Sequence, residues 1–318
     1  MLSKYITDAG RPLEPVASRP RFGHFFSMMS HIEPGVFVRH DPQAQPAPVI
    51  FDSPHSGAEY PADFRYACPF NLLRQAEDAH VDELFDAAPR MGATLIAALF
   101  PRSYIDVNRG IEDIDQQLLD QPWPGPVSTS DRARVGMGLV RRVCKPGVAL
   151  YDRRLSVAEI RNRIDRYYRP YHEAVANAII EAGGRFGAVW HVNCHSMPSS
   201  RGARVAVAGW ERADFVLGDR DGTTCSLGFR LLVQGILEQL GYDVRINDPY
   251  KGVELVRRFG QPNLGRHSLQ IEVNRRLYMN EETLEKTDGF DRLKGDMDTL
   301  CSAITAYARD QLTAAAAD

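Results

Sequence analysis

Two apolar, strand-like runs each deliver a histidine followed by a serine: Val49-Ile50-Phe51-Asp52-Ser53-Pro54-His55-Ser56-Gly57 and Ala188-Val189-Trp190-His191-Val192-Asn193-Cys194-His195-Ser196. In open α/β sheets ligands bind outside the carboxyl ends of strands. Two imidazoles brought there from separate strands suggest a metal site, because neutral imidazole is the commonest protein metal ligand. Pro54 and Gly57 make a tight turn that exposes His55. A lone histidine after a strand is more often a satisfied structural residue; two in the same setting weaken that description. A catalytic zinc centre usually has three protein ligands and an open position for water. The acidic candidates are Glu77, Asp78 and Asp82, at the start of a helix that would begin beside His55. Asp78 and Asp82, four apart, share one face of such a helix. Acids in a first helical turn also simply complement the macrodipole. His80 lies two residues from either acid and faces elsewhere, at the surface or under a lid.

A third polar group sits inside an apolar strand: Glu272 in Leu269-Gln270-Ile271-Glu272-Val273-Asn274-Arg275. A buried carboxyl is costly unless paired or solvated in a cleft. Desolvation raises its pKa and suits it to general base and acid work. The competing reading is an ion pair with Arg275 or Arg276. Tyr104-Ile105-Asp106-Val107-Asn108-Arg109 is another strand end releasing polar groups. Arg109 there could clamp a carboxylate bidentately, stabilise a developing oxyanion, or pair with Asp106. The segment from Lys251 to Gly260 places Lys251, Arg257 and Arg258 beside a glycine-bounded loop, as a receiver of acidic substrate or as a solvated face. Leu217-Gly218-Asp219-Arg220-Asp221-Gly222 reads as a tight turn with capping acids. Cys194 precedes His195 along a strand and so points to the opposite side, which disfavours a Cys–His nucleophile pair.

The elements that must position these groups follow from periodicity and punctuation. Residues 1–46 are Pro-rich and irregular, an arm that wraps the body. Strand Val49–Asp52, a helical pattern from about Leu73 to Met91-Gly92, and strand Ala93–Phe100 form a βαβ signature. About 40 residues of loop follow Arg109, a length typical of lids. Ser156-Val157-Ala158-Glu159 is a capping box opening a helix to about Ala182, kinked at Pro170 and closed by Gly183-Gly184. Strands Ala188–Asn193, Arg204–Ala208, Tyr242–Ile246 and Ser268–Asn274 follow, with helices over 226–240 and 288–312. Alternating helices and strands predict one α/β domain, a sandwich with a mostly parallel sheet.

The 318 residues carry Lys+Arg 38 against Asp+Glu 41, a net charge of −3, which lacks the basic footprint of nucleic-acid binding. No apolar stretch approaches a membrane span. The N-terminus lacks the apolar run of a signal peptide. The five cysteines are widely spaced without CxxC, which argues for a reducing cytosol rather than a disulfide framework.

Ser53-Pro54-His55-Ser56-Gly57 with Tyr60-Pro61, Glu77-Asp78 with Val81-Asp82, Asp106 with Asn108-Arg109, Cys194-His195-Ser196, Gly218-Asp219 with Asp221-Gly222, and Glu272 with Tyr278-Met279 together resemble the N-formylglutamate amidohydrolases. The ordered set spans about residues 49–281, the expected catalytic core. The resemblance implies a three-layer α/β sandwich of the zinc-carboxypeptidase, phosphorylase/hydrolase-like type. It implies hydrolysis of N-formyl-L-glutamate to formate and L-glutamate, a late step of histidine degradation, in the cytoplasm. It implies Zn²⁺, with Mn²⁺ or Fe²⁺ as alternatives, on His55, His195 and an acid, and Glu272 as base. Glu59 is one residue out of the His-x-x-Glu spacing of carboxypeptidases, so Asp78 is preferred as the acid, with Asp82 the alternative. Arg109 would then stabilise the oxyanion, and Asn108, Lys251, Arg257 and Arg258 would hold a small acidic N-acyl amino acid. Two other readings stand beside this one: a zinc amidase for another N-acyl amino acid or a peptidoglycan-type amide, and a non-catalytic α/β binding domain whose histidines never meet.

Overall fold

The computed structural model describes residues 30–199 and 213–315. Its elements in chain order are strands β1 (Ser30–Glu33), β2 (Phe37–His40) and β3 (Val49–Ser53), helices α1 (Phe70–Arg74) and α2 (Val81–Leu84), and strand β4 (Thr94–Ala98). A short helix α3 (Asp131–Arg134) and a hairpin of β5 (Val143–Lys145) and β6 (Val148–Ala149) follow. Then come α4 (Val157–Arg163), α5 (Arg169–Phe186), β7 (Val189–Met197), β8 (Phe215–Gly218), α6 (Leu227–Gln239), β9 (Val244–Ile246), α7 (Glu254–Phe259), β10 (Arg266–Asn274) and α8 (Gly289–Ala315).

Eight strands form one sheet in the order β1-β2-β4-β3-β7-β10-β8-β9. The centre, β4-β3-β7-β10, is parallel, as is β8 with β9. The β1–β2, β2–β4 and β10–β8 pairings are antiparallel. Helices cover both faces, giving the three-layer α/β sandwich with a mostly parallel mixed sheet.

Side-chain alternation along each strand assigns the faces different work. Val49, Phe51, Val192, Cys194, Leu269, Ile271 and Val273 form one apolar core with α6 and α8. Ile50, Ile96 and Val189 meet α4 and α5 on the other face. There the central strands turn polar: Asp52, His191, Asn193, His195, Ser268, Gln270 and Glu272 are all buried. In register, Ser268 lies beside His191, Gln270 beside Asn193 and Glu272 beside His195, while Asp52 lies beside Asn193. A polar row therefore runs across three parallel strands toward their carboxyl ends.

Several expectations are revised. Residues 30–40 are two strands of the sheet rather than arm. The helix expected from Leu73 to Met91 is broken: α1 ends at Arg74, and α2 begins only after His80, whose φ of 64° no continuous helix accommodates. Asp78 and Asp82 therefore share no helix face. Strand β7 runs on through His195 to Met197. The capping box at Ser156 and Glu159 forms on both sides. Before Pro170, which cannot donate to the preceding turn, the helix loosens into a π segment over Ile164–Tyr168. It then continues past Gly183-Gly184 to close at Gly187, which takes the left-handed conformation (φ 83°). The strand expected over Arg204–Ala208 lies outside the described residues. Among the described residues no helix is long and apolar enough to cross a membrane.

Candidate active site

His55 follows β3 through Pro54, and its turn is fixed by close packing: a Cβ on Gly57 would lie 2.4 Å from the Leu99 carbonyl carbon. The break between α1 and α2 lets the chain fold back, so the Asp78 amide donates to the His55 carbonyl (2.9 Å). β7 supplies His195. The three side chains converge: His55 Nδ1 and His195 Nδ1 are 3.0 Å apart, and Asp78 Oδ2 is 3.1 Å from His195 Nδ1 and 3.4 Å from His55 Nδ1. His55, Asp78 and His195 are the group placed to hold a metal ion among the described residues. Asp82, half-buried in α2, is not part of it, because the residues between it and Asp78 turn the chain away. Glu77 is occupied elsewhere, accepting from the Tyr60 hydroxyl (2.5 Å) and from Arg74. Glu59 is exposed.

The other ring nitrogens decide which lone pairs face inward. His55 Nε2 donates to Asp106 Oδ1 (2.7 Å). His195 Nε2 lies 2.7 Å from Asn193 Oδ1 and 3.0 Å from Asn108 Nδ2, and the shorter contact assigns the ring proton to Nε2, donating to Asn193. The Asn193 amide is itself oriented, since its Nδ2 donates to Asp52 Oδ1 (2.8 Å). Asp52 also accepts from His191 Nε2 (2.8 Å) and the Tyr171 hydroxyl (2.9 Å). Burial opposes its charge, but the bonds from His191 and Asn193 prevail and hold its pKa below the usual carboxylate range. With both Nε2–H groups engaged, two Nδ1 lone pairs and a carboxylate oxygen face one another at 3.0–3.4 Å. That array is repulsive unless a proton or cation lies within it. Donors held about 2.0–2.1 Å from a tetrahedral ion are themselves about 3.3 Å apart, so the set fits a divalent metal. A binding domain whose histidines never meet is excluded by the same distances.

Arginines hold the surrounding charge: Arg102, which nothing in the sequence singled out, and Arg275, whose partner is Asp78 rather than the expected Glu272. Arg275 Nη2 donates to Asp78 Oδ1 (2.9 Å), and Arg102 Nη1 lies 3.5 Å from the same oxygen. Arg102 Nε and Nη2 also donate to Asp106 Oδ2, at 3.2 and 2.9 Å. Burial would raise both carboxyls; Arg102 and the histidines overcome it and hold Asp78 and Asp106 well below the ordinary carboxylate range. Asp106 pairs with Arg102, while Arg109 Nε donates to the Met137 carbonyl (3.3 Å). Glu272 escapes the expected ion pairs, since Arg275 serves Asp78 and Arg276 pairs with Asp214. It accepts from Gln270 Nε2 (2.8 Å), and burial pushes its pKa up to about 7 against the pull of His195.

These groups border a cavity of about 910 Å³, walled by the long loop after Arg109, the 249–258 segment and the ends of β7 and β10. Arg109, Asn108, Lys251, Arg257 and Arg258 all line it. Two are held in ion pairs: Lys251 Nζ pairs with Asp221 (2.9 Å), and Arg257 makes a forked pair with Glu254 (2.7 and 2.8 Å). Arg258 makes no ion pair among the described residues. The Asn108 amide is fixed by accepting from the Leu255 N–H (3.0 Å), which turns its Nδ2 toward His195 and Gln270. The Gly218–Gly222 turn is structural, with Asp219 Oδ1 accepting from the Gly222 N–H and Asn247 Nδ2. His80 is half-buried, bonded to Glu83 and the Leu284 carbonyl. Cys194 lies in the opposite core, its thiol raised well above the usual range by burial.

The missed groups had faint signals. Asp52 and Asn193 interrupt apolar strands as Glu272 does, and carry the same burial argument. Arg102 and Arg141 gave none, because a lone arginine near a strand end looks like surface; Arg275 was marked only as a partner for Glu272.

Comparison with known proteins adds three findings. The family model described as N-formylglutamate amidohydrolase matches residues 47–279. The N-formylglutamate deformylases of Pseudomonas putida and Pseudomonas aeruginosa are similar, at 26% identity over 242 residues and 25% over 244; each alignment covers 74% of this chain, and 82% and 83% of those proteins. The crystal structure of an N-formylglutamate amidohydrolase from Ralstonia eutropha JMP134 superposes with a TM-score of 0.84 at 48% identity, covering 87% of this chain and 99% of that one.

Proposed function

Because this chain belongs to the N-formylglutamate amidohydrolase family, we propose that it hydrolyses the formyl amide of N-formyl-L-glutamate to formate and L-glutamate, with a divalent metal on His55, Asp78 and His195. The observation that carries the reading is the inward-facing donor set: two imidazole Nδ1 atoms and a carboxylate oxygen within 3.4 Å of one another. Zinc is the metal proposed first; Mn²⁺ and Fe²⁺ suit the same nitrogen and oxygen ligands. When bound, the ion supplies Lewis acidity toward the formyl oxygen and lowers the pKa of the attacking water.

The protein's own residues do the rest. Glu272 takes a proton from the water as the water's oxygen bonds to the formyl carbon. Gln270 holds one Glu272 oxygen, which leaves the other for the proton. Glu272 then delivers that proton to the amide nitrogen as the C–N bond breaks, releasing the amine and formic acid, whose remaining proton passes to the amine or to solvent to leave formate. Its elevated pKa suits both halves of this transfer. Arg109 stabilises negative charge on the formyl oxygen, and Asn108 Nδ2 offers a further donor to the bound substrate. Arg258 remains a candidate for a substrate carboxylate. The paired Lys251 and Arg257 fit a supporting role that sets the positive potential of the mouth.

The test is formate release from N-formyl-L-glutamate before chelation, after it, and after zinc is returned. Release that follows the metal is expected. Release unaffected by complete metal removal would overturn the metal assignment, and no release from metal-loaded protein would overturn the substrate.

A further inference from the structure

Arg141 is a buried cation without a proper partner. The residue is 8% exposed, yet it lines the cavity beside Asp78, Glu272 and Arg109. Its Nε is buried without a hydrogen-bond partner, while the rest of the guanidinium borders the cavity. The nearest anion is Asp106, with Oδ2 at 3.9 Å from Arg141 Nη2. Asp106 cannot serve it further. Its Oδ1 already accepts from His55 Nε2 and the Asn108 N–H, and its Oδ2 accepts twice from Arg102. Burial and the neighbouring Arg102 and Arg109 cations push the Arg141 pKa down to about 9, with Asp106 only partly offsetting them.

A guanidinium in this state is costly to the fold. A buried donor left unmade costs the desolvation penalty of that group, and a buried charge is normally paired. Within the described protein only the distant Asp106 offsets the charge, and an anion entering the cavity would complete its pairing. The fork of an arginine matches a carboxylate in a bidentate manner. N-formylglutamate carries two carboxylates besides the amide that is cut; of the cavity-lining arginines without an ion pair among the described residues, Arg109, Arg132 and Arg258, none is buried as Arg141 is.

We propose that Arg141 is the receptor for one of the two substrate carboxylates, and that it makes the site selective for dicarboxylic N-acyl amino acids. The proposal rests on the N-formylglutamate hydrolase reading and adds the residue that enforces its substrate class.

The experiment compares wild type, R141Q and R141K on N-formyl-L-glutamate and on two analogues, each lacking one carboxylate: N-formyl-L-glutamine and 4-formamidobutyrate. R141Q is expected to lose about 100- to 1,000-fold in kcat/KM on N-formyl-L-glutamate, the range for removing one partner of a desolvated charged pair. It should lose little on whichever analogue lacks the carboxylate that Arg141 holds. R141K, which keeps the charge but not the fork, should fall between. Substrate-free R141Q should melt no lower than wild type, because it discards an unpaired charge. Equal losses on all three substrates, or a clear fall in the melting temperature of substrate-free R141Q, would assign Arg141 to structure and overturn the proposal. If R141Q does not fold, unchanged selectivity in R141K overturns it and relaxed selectivity supports it. Glutarate binding by calorimetry separates the two readings. Binding to wild type and not to R141Q supports the receptor even if formate release fails, and no binding to wild type overturns it.

Discussion

The sharpest prediction concerns Glu272→Gln, because the change removes a charge while nearly preserving shape. Glu272 lies in β10 beside His195, and its carboxyl is pushed from an ordinary 4.5 to about 7, chiefly by burial. At 1.36 kcal/mol per pH unit, that displacement corresponds to about 3 kcal/mol by which the folded, metal-free protein disfavours the ionised form. The sign follows from linkage. Below pH 4.5 the carboxyl is protonated in folded and unfolded chains alike, and it adds no difference. Between 4.5 and about 7 only the unfolded chain ionises, so stability falls as pH rises. Above about 7 the full penalty is present. Glutamine escapes it, and its carbonyl oxygen still accepts from Gln270. Urea unfolding of the metal-free proteins should therefore give equal stabilities near pH 4 and an advantage of about 3 kcal/mol for E272Q near pH 8. Metal loading should shrink that advantage, because a cation nearby favours the carboxylate. The same variant should keep metal and lose about 10²- to 10⁴-fold in turnover. A stability difference that is flat with pH would refute the burial argument. Full turnover in E272Q would refute the base assignment independently.

Three further outcomes are expected. His195→Ala and His55→Ala should abolish stoichiometric metal binding by elemental analysis, whereas Asp82→Asn should leave it intact; loss in D82N would mean that α2 rearranges toward the cluster. Asn193→Leu should weaken metal affinity about 10- to 100-fold in chelator competition, the usual effect of removing a partner that orients a ligating histidine; unchanged affinity would show that His195 keeps its tautomer without the Asp52–Asn193 relay. Ser156→Ala should cost about 1 kcal/mol in urea unfolding by removing the helix cap, and a neutral result would place the start of α4 under tertiary control instead.

What the sequence made legible divides along physical lines. His55, His195 and Glu272 stood out because a polar group in an apolar strand run needs a reason, and strand alternation fixes where it points. Asp78 was visible only as one of several acids. The assumption of a continuous helix gave it the wrong neighbours, since nothing local announced that His80 would take a positive φ. That conformation is imposed by long-range contacts: the His80 ring reaches the Leu284 carbonyl, and the Asp78 amide reaches His55. The guanidiniums were the least legible. Arg102, Arg141 and Arg275 come from different elements, and their value depends on which carboxylates the fold brings near them. The basic cluster at 251–258 was conspicuous in sequence, yet Lys251 and Arg257 are engaged by Asp221 and Glu254. Local charge density marks the cavity wall, whereas the partnerless cation inside it was inconspicuous.

The same accounting explains why so much charge can be buried beside one sheet face without undoing the fold. The other face carries an apolar core with α6 and α8, so the chemistry can occupy the remaining face. There Asp52, Asp78 and Asp106 are each over-supplied with donors. Asp106 serves His55, Arg102 and the Asn108 amide at once, and Asp78 serves Arg275 and Arg102 with the oxygen that does not face the histidines. Removing Asp106 would therefore do more than delete one hydrogen bond. It would leave Arg102 with Asp78 alone, free the His55 ring to protonate either nitrogen, and leave Arg141 without even its distant counter-charge. Breaking a buried pair costs about 3–5 kcal/mol, because the surviving charge stays buried. Here the survivors are two guanidiniums that border the cavity, and an added dicarboxylate should recover part of that loss in an Asp106→Asn protein. Thermal unfolding with and without glutarate measures this directly. Stabilisation larger in D106N than in wild type is the expected result, and equal stabilisation would show that Asp106 and the incoming carboxylate act on separate cations.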